Sequence, residues 1–103
     1  IYGGDYPLNS PASYSASKSG LLGLTRYLAT AFGEDQIRVN MLTPGGVYDG
    51  QEEAFHSEYI KRTVLGRMAT LSDYNGAVLF LASEASRYMT GSNLVIDGGW
   101  TSW

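Results

Sequence analysis

The sequence predicts an α/β fold built on a parallel sheet, and three features of the order of segments predict it. Residues 14–32 carry apolar side chains at helical spacing. Two short runs, 37–43 and 93–99, read as strands. Further helical stretches lie between those strands, and strands separated by helices favour parallel pairing with helices packed on the sheet. Two strands make a poor sheet, so both need neighbours that these 103 residues do not supply.

Each element has its own signal. "GGDYPLNSPAS" at 3–13 reads as a loop from its Gly, Pro, Asn and Ser content, with Ser13 or a neighbour placed to cap the next helix. At 100° per residue, Lys18, Leu21, Leu22, Thr25, Leu28, Ala29 and Phe32 fall within about 80° of Tyr14, so the face under Tyr14 and Lys18 is expected to be buried. A second stripe holds Ala16, Gly20, Gly23 and Tyr27, small enough for another helix to come close. "GEDQ" at 33–36 breaks the helix, "IRVNMLT" alternates as a strand, and "PGG" at 44–46 turns. A short helix is expected around Glu52–Thr63, and another from Ser72 or Asp73 to Ser83. "NLVIDGG" at 93–99 is the final strand.

Composition limits the function classes. Residues 1–103 suffice for one small domain, with 44% hydrophobic and 17% charged residues, as in ordinary soluble proteins. A net charge of −3, with no basic cluster beyond Lys61-Arg62, gives no nucleic-acid footprint. The chain has no cysteine, which excludes disulfides and thiolate zinc sites and fits a cytoplasmic setting; no metal is expected. No apolar run approaches ~20 residues, so no membrane partner is expected. The opening has no signal-peptide pattern and no initiator Met, and Ile1-Tyr2 suits the end of a strand, so the chain reads as the back part of something longer.

"SYSASKSG" at 13–20 carries the chemistry. Tyr14 and Lys18 stand at i and i+4, on adjacent turns of one helix face. A tyrosine with a solution pKa near 10 is a poor acid or base at neutral pH, but a nearby ammonium favours the phenolate. Such a tyrosine gives a proton to a carbonyl oxygen or takes one from an alcohol. Read alone, the pair is far more often two polar residues sharing a helix face than an acid/base pair.

Context decides between those readings. "YSASKSGLLGLTRYLA", "IRVNMLTPGG" and "LFLASEASRYMTGSNLVIDGG", in that order, resemble the C-terminal part of the classical short-chain dehydrogenase/reductase family over nearly the whole chain. The resemblance implies the C-terminal portion of a Rossmann-like doubly wound parallel sheet, and NAD or NADP as cofactor. It also implies a small carbonyl or alcohol substrate and a homodimer or homotetramer. By this match Tyr14 is the general acid/base, and Lys18 tunes it and holds nicotinamide ribose hydroxyls. Pro44 and Gly45 lie beside the nicotinamide, and the Val47 N–H bonds its carboxamide. Where the family often has a cofactor-touching Thr, this chain has Asp49, so that role is not carried over.

The resemblance also sets limits. The chain has no segment matching the glycine-rich pyrophosphate turn, the residue that selects NAD or NADP, or the catalytic Asn, and Gly3-Gly4 cannot stand in for the turn. Counting back from Tyr14 places the catalytic Ser at or just before Ile1, and Ser10, Ser13 and Ser15 are too close to replace it. The expected parent is an oxidoreductase. "IYGGDYP" and "TPGGVYDGQ" are similar to members linked to bacterial surface-sugar or nine-carbon-sugar pathways, and Tyr48, Asp49 and Gln51 suit a polyol. A 3-oxoacyl or secondary-alcohol dehydrogenase is the alternative substrate reading. A non-catalytic oligomerisation remnant, built on the small-residue stripe and the last strand, is the alternative class. Asn40 is expected to make structural bonds, His56 to pack or face solvent, and Asp97-Gly98-Gly99 to end a strand.

Overall fold

Helix α1, Ala12–Ala31, leads into strand β1, Met41–Pro44. Helix α2, Glu53–Ile60, and helix α3, Asn75–Ala82, follow, and strand β2, Asn93–Ile96, closes the order. The structure is a computed structural model and describes residues 11–103. The strand end expected at Ile1-Tyr2 and the 3–10 part of the expected loop lie outside the described residues. Short 3₁₀ turns at Leu71–Tyr74 and Glu84–Ser86 flank α3.

The expected parallel sheet is present: β1 pairs with β2 in parallel, Met41 opposite Asn93 and Pro44 opposite Ile96. Met41 and Gly45 donate to Ser92 and Ile96 at 2.8 Å each. Alternate residues of a parallel strand bond to opposite sides, so the N–H that Pro44 lacks falls on the edge away from β2 and leaves the ladder intact. Both strands are shorter than expected. Ahead of Met41, the Val39 N–H bonds the Thr90 hydroxyl and the Val39 carbonyl accepts from Gly91, so the chain is extended there but paired with a turn. Beyond Ile96, Gly98 and Gly99 adopt φ of 65° and 84°, which curls the chain away from the strand path.

Asn40 sets the register. Its Nδ2 donates to the Met89 carbonyl at 2.8 Å and its Oδ1 accepts the Ser92 N–H at 3.1 Å, one residue before the ladder begins. Arg38 reinforces this from the other side, donating to the Leu81 and Met89 carbonyls.

The helices differ from expectation in their ends and in their burial. The cap of α1 is Pro11, not Ser13, because φ −58° and ψ 147° already give Pro11 a capping backbone and its carbonyl accepts the amides of Tyr14 and Ser15. On the face expected to be buried, Thr25 and Ala29 are, with Ala29 against the Gly91 turn. Tyr14, Leu21 and Phe32 stay exposed, because β1 reaches only part of α1 and no other described element covers them. Gly20 and Gly23 meet nothing within 4 Å, so no described helix packs on the small-residue stripe. Helix α2 ends at Ile60, short of Thr63. The stretch expected as one helix from 72 or 73 begins as a 3₁₀ turn capped at Thr70, with Asp73 Oδ2 accepting the Thr70 N–H at 2.7 Å. The compact core is small: Tyr59 and Met68, packed by Phe55, Ile60 and Trp100.

Two outcomes test these contacts in the intact protein. Asn40→Ala removes the partners of two backbone groups and should lower the unfolding free energy by about 1–2 kcal/mol in a denaturant titration. Arg67 binds both Asp73 oxygens, at 2.8 and 2.9 Å, and with Thr70 holds the Asp73 carboxyl well below the usual carboxylate range. A depressed folded pKa stabilises the fold above the unfolded value and is lost as pH falls through the folded one. Asp73→Asn should therefore lower the Tm at neutral pH, and its Tm should approach that of the native protein as pH drops below about 4.

Candidate active site

The first turns of α1 present Tyr14 and Lys18 to an open groove of about 530 Å³ whose other wall is β1 from Met41 to Pro44. Leu21 and Leu22 form its apolar floor between them and the strand. Tyr14 is 53% exposed, and the Lys18 Nζ stands 5.5 Å from the centre of its ring. Lys18 makes no ion pair among the described residues. The groove thus offers a phenol and an ammonium one helical turn apart, beside the strand end that carries Pro44.

The turn after Pro44 owes its glycines to close packing. A Cβ on Gly45 would stand 2.8 Å from the Asp97 Cα, and one on Gly46 would stand 2.6 Å from the Tyr59 ring. Neither glycine has a positive φ, so space and not backbone conformation demands them. The chain then bridges to Ala69: Tyr48 N–H donates to the Ala69 carbonyl and Ala69 N–H to the Gly46 carbonyl, both at 2.9 Å. In such a parallel bridge the residue between the two bonds aims its own groups the other way. The Val47 N–H accordingly meets no acceptor among the described residues, whereas its carbonyl accepts from Gln51 Nε2 at 2.9 Å.

Tyr14, Lys18 and Pro44 therefore line one groove. Gly45 lines a separate, smaller cleft of about 110 Å³ with Tyr59, Arg67, Tyr74 and Asp97, and Val47 lines neither. Asp49 is exposed, and its N–H bonds Gln51 Oε1 at 2.8 Å, so Gln51 ties residues 47–51 into a closed loop. His56 is half-buried, edge-on to Tyr48 at 5.2 Å, a packing position as its sequence context suggested. Asp97 ends β2 and accepts from the Gly99 and Thr101 amides and the Thr101 hydroxyl.

Two residues of the second cleft were not singled out in the sequence. The Tyr59 hydroxyl accepts the Gly46 N–H, and the Tyr74 hydroxyl donates to the Gly45 carbonyl at 3.2 Å. Burial pushes both phenols up: the Gly46 N–H opposes this at Tyr59, and the charges of Tyr59 and Asp73 add to it at Tyr74. Both remain neutral hydrogen-bonding groups at physiological pH. Among eight tyrosines nothing in the local sequence marks these two.

Known proteins resemble this chain in sequence and in fold. The family described as enoyl-(acyl carrier protein) reductase matches residues 1–101. A 2-dehydro-3-deoxy-D-gluconate 5-dehydrogenase from Escherichia coli is 38% identical over 94 residues, which cover 85% of this chain and 37% of that protein. An NADH-dependent L-xylulose reductase from Ambrosiozyma monospora is 40% identical over 99 residues, covering 87% of this chain and 36% of that protein. The crystal structure of a short-chain dehydrogenase from Leptospira borgpetersenii with bound NAD+ superposes with a TM-score of 0.87 at 47% identity, over 90% of this chain and 37% of that one. The chain thus spans little more than a third of the length of the relatives it matches. With the parallel β1–β2 pair, the Tyr14–Lys18 groove and matches over nearly its whole length, the chain belongs to the short-chain dehydrogenase/reductase family and carries its C-terminal motifs.

Proposed function

We propose that the protein to which this chain belongs is an NAD(P)(H)-dependent oxidoreductase that interconverts a carbonyl and an alcohol. The observation that carries this reading is the placement of Tyr14 and Lys18 on one groove with Pro44 at its end. A nicotinamide dinucleotide, when bound, supplies or accepts the hydride. The groove fits such a group: it is open and it holds an ammonium without an ion-pair partner among the described residues, and the Val47 N–H, three residues past Pro44, meets no acceptor among them.

In this reading Tyr14 donates its phenolic proton to the carbonyl oxygen as the carbon is reduced, and takes a proton from the hydroxyl in the reverse direction. Lys18 stabilises the phenolate left behind and donates to ribose hydroxyls. Pro44, Gly45 and Val47 would hold the nicotinamide end, with the Val47 N–H as a free donor for it. The substrate is a sugar or polyol derivative. Tyr48, Asp49 and Gln51 set polar groups near the turn, and the two curated relatives described above are named for a keto-deoxy sugar acid and a ketose. The exposed Ala16, Gly20, Gly23 and Tyr27 stripe of α1 serves subunit packing in a homodimer or homotetramer.

Tyr14→Phe in the intact enzyme should lower kcat by about 10²–10⁴-fold while dinucleotide affinity stays within a few-fold. Near-native turnover by that variant would sink the role of Tyr14. A substrate panel tests the second part: oxidation of polyols or reduction of ketoses is expected, and activity confined to acyl thioesters would remove the sugar reading.

A further inference from the structure

We propose that Tyr59 and Tyr74 are positioning residues that orient the dinucleotide-facing turn by gripping one peptide group from its two ends. The Gly45 carbonyl and the Gly46 N–H belong to the same peptide plane. Tyr74 donates to the first and Tyr59 accepts from the second. The proposal rests on the assignment of Pro44, Gly45 and Val47 to the dinucleotide site.

The turn needs such a grip. Two successive glycines have the widest backbone freedom of any dipeptide, so the Gly45–Gly46 plane has little intrinsic preference for one orientation. A rotation of that plane would displace the Gly45 backbone next to Pro44, whereas the following peptide, which carries the Val47 N–H, is held separately by the Ala69 N–H on the Gly46 carbonyl. Bonds at both ends of the plane oppose that rotation directly.

The two tyrosines are themselves held rigidly, and by different parts of the fold. Tyr59, on α2, is 7% exposed; its ring stacks on Trp100 at 4.2 Å and 22° and on Phe55 at 5.9 Å. Tyr74 follows Asp73, which Arg67 holds through two bonds. The contact of Gly46 with the Tyr59 ring leaves no room for a side chain, so the turn can reach the hydroxyl only as glycine. The grip therefore joins α2 to the 3₁₀ turn that precedes α3. A shift of α2 would move the Tyr59 hydroxyl and with it the Gly45–Gly46 plane. Burial favours the protonated phenol at Tyr74, which keeps the hydrogen it donates to the Gly45 carbonyl.

The test uses the intact enzyme, with Tyr59→Phe, Tyr74→Phe, the double variant, Met68→Leu and Tyr14→Phe. The readouts are dinucleotide Kd from nicotinamide fluorescence, KM, kcat and Tm. Losing either hydroxyl frees the same plane, so each single variant should raise Kd and KM for the dinucleotide by about tenfold with a much smaller change in kcat. Because one plane is released only once, the double variant should also show about tenfold and not the hundredfold product. Met68→Leu alters the same core without touching either hydroxyl, and should lower Tm while leaving Kd within about twofold. Native-like Kd in both single variants overturns the proposal whatever happens to Tm. So does a multiplicative double variant, or a Met68→Leu variant with an equal rise in Kd, since either shows general loosening of the core. Retained turnover in Tyr14→Phe is a separate result: it removes the acid/base assignment and leaves the dinucleotide measurements to judge the grip.

Discussion

Parallel pairing of Met41–Pro44 with Asn93–Ile96 obliges residues 45–92 to leave β1 at one end and return to β2 at the other. Everything near the candidate site follows from that path. The turn after Pro44 and the turn after Ile96 must emerge side by side at the same end of the sheet, because parallel strands finish together. They do so at contact distance, with room for glycine only between residue 45 and the backbone of Asp97. Asn40 fixes the register at the opposite end, so that Pro44 and Ile96 come level and the two turns meet.

The crossover has a second task, which is to support a turn that has no side chains of its own. It does this with aromatic rings. Trp100 from beyond β2, Tyr59 and Phe55 from α2, and Met68 from the following loop form one cluster. Dispersion and apolar burial hold the rings, and their hydroxyl-bearing member satisfies a backbone amide of the turn. The packing and the hydrogen bond reinforce each other, since a stacked ring has little freedom to withdraw its hydroxyl. Arg67 and Asp73 play the corresponding part for Tyr74 with a bidentate ion pair at the surface.

Helix α1 stands apart from this cluster. Its contact with β1 and the Gly91 turn buries Thr25 and Ala29, and most of its apolar residues stay open. The groove beside Tyr14 is open for the same reason. The relatives this chain matches are nearly three times as long.

The sequence by itself determined the order of elements, the parallel character of the sheet, the shared face of Tyr14 and Lys18 and the turn at Pro44–Gly46. These depend on local spacing: i to i+4 on a helix, alternation on a strand, and Pro and Gly as punctuation. The ends of elements were less legible. Pro11 replaced Ser13 as the cap of α1, and both strands closed early, because partners distant in sequence decide where a ladder stops. The burial of the Tyr14 face was overestimated, since an apolar stripe shows what a helix prefers to cover and not what is there to cover it. Tertiary structure alone decided that Tyr59 and Tyr74, 15 positions apart and unmarked among their neighbours, meet at one peptide group. No local pattern encodes that meeting. It arises only when the crossover returns and the two turns of the sheet are brought together.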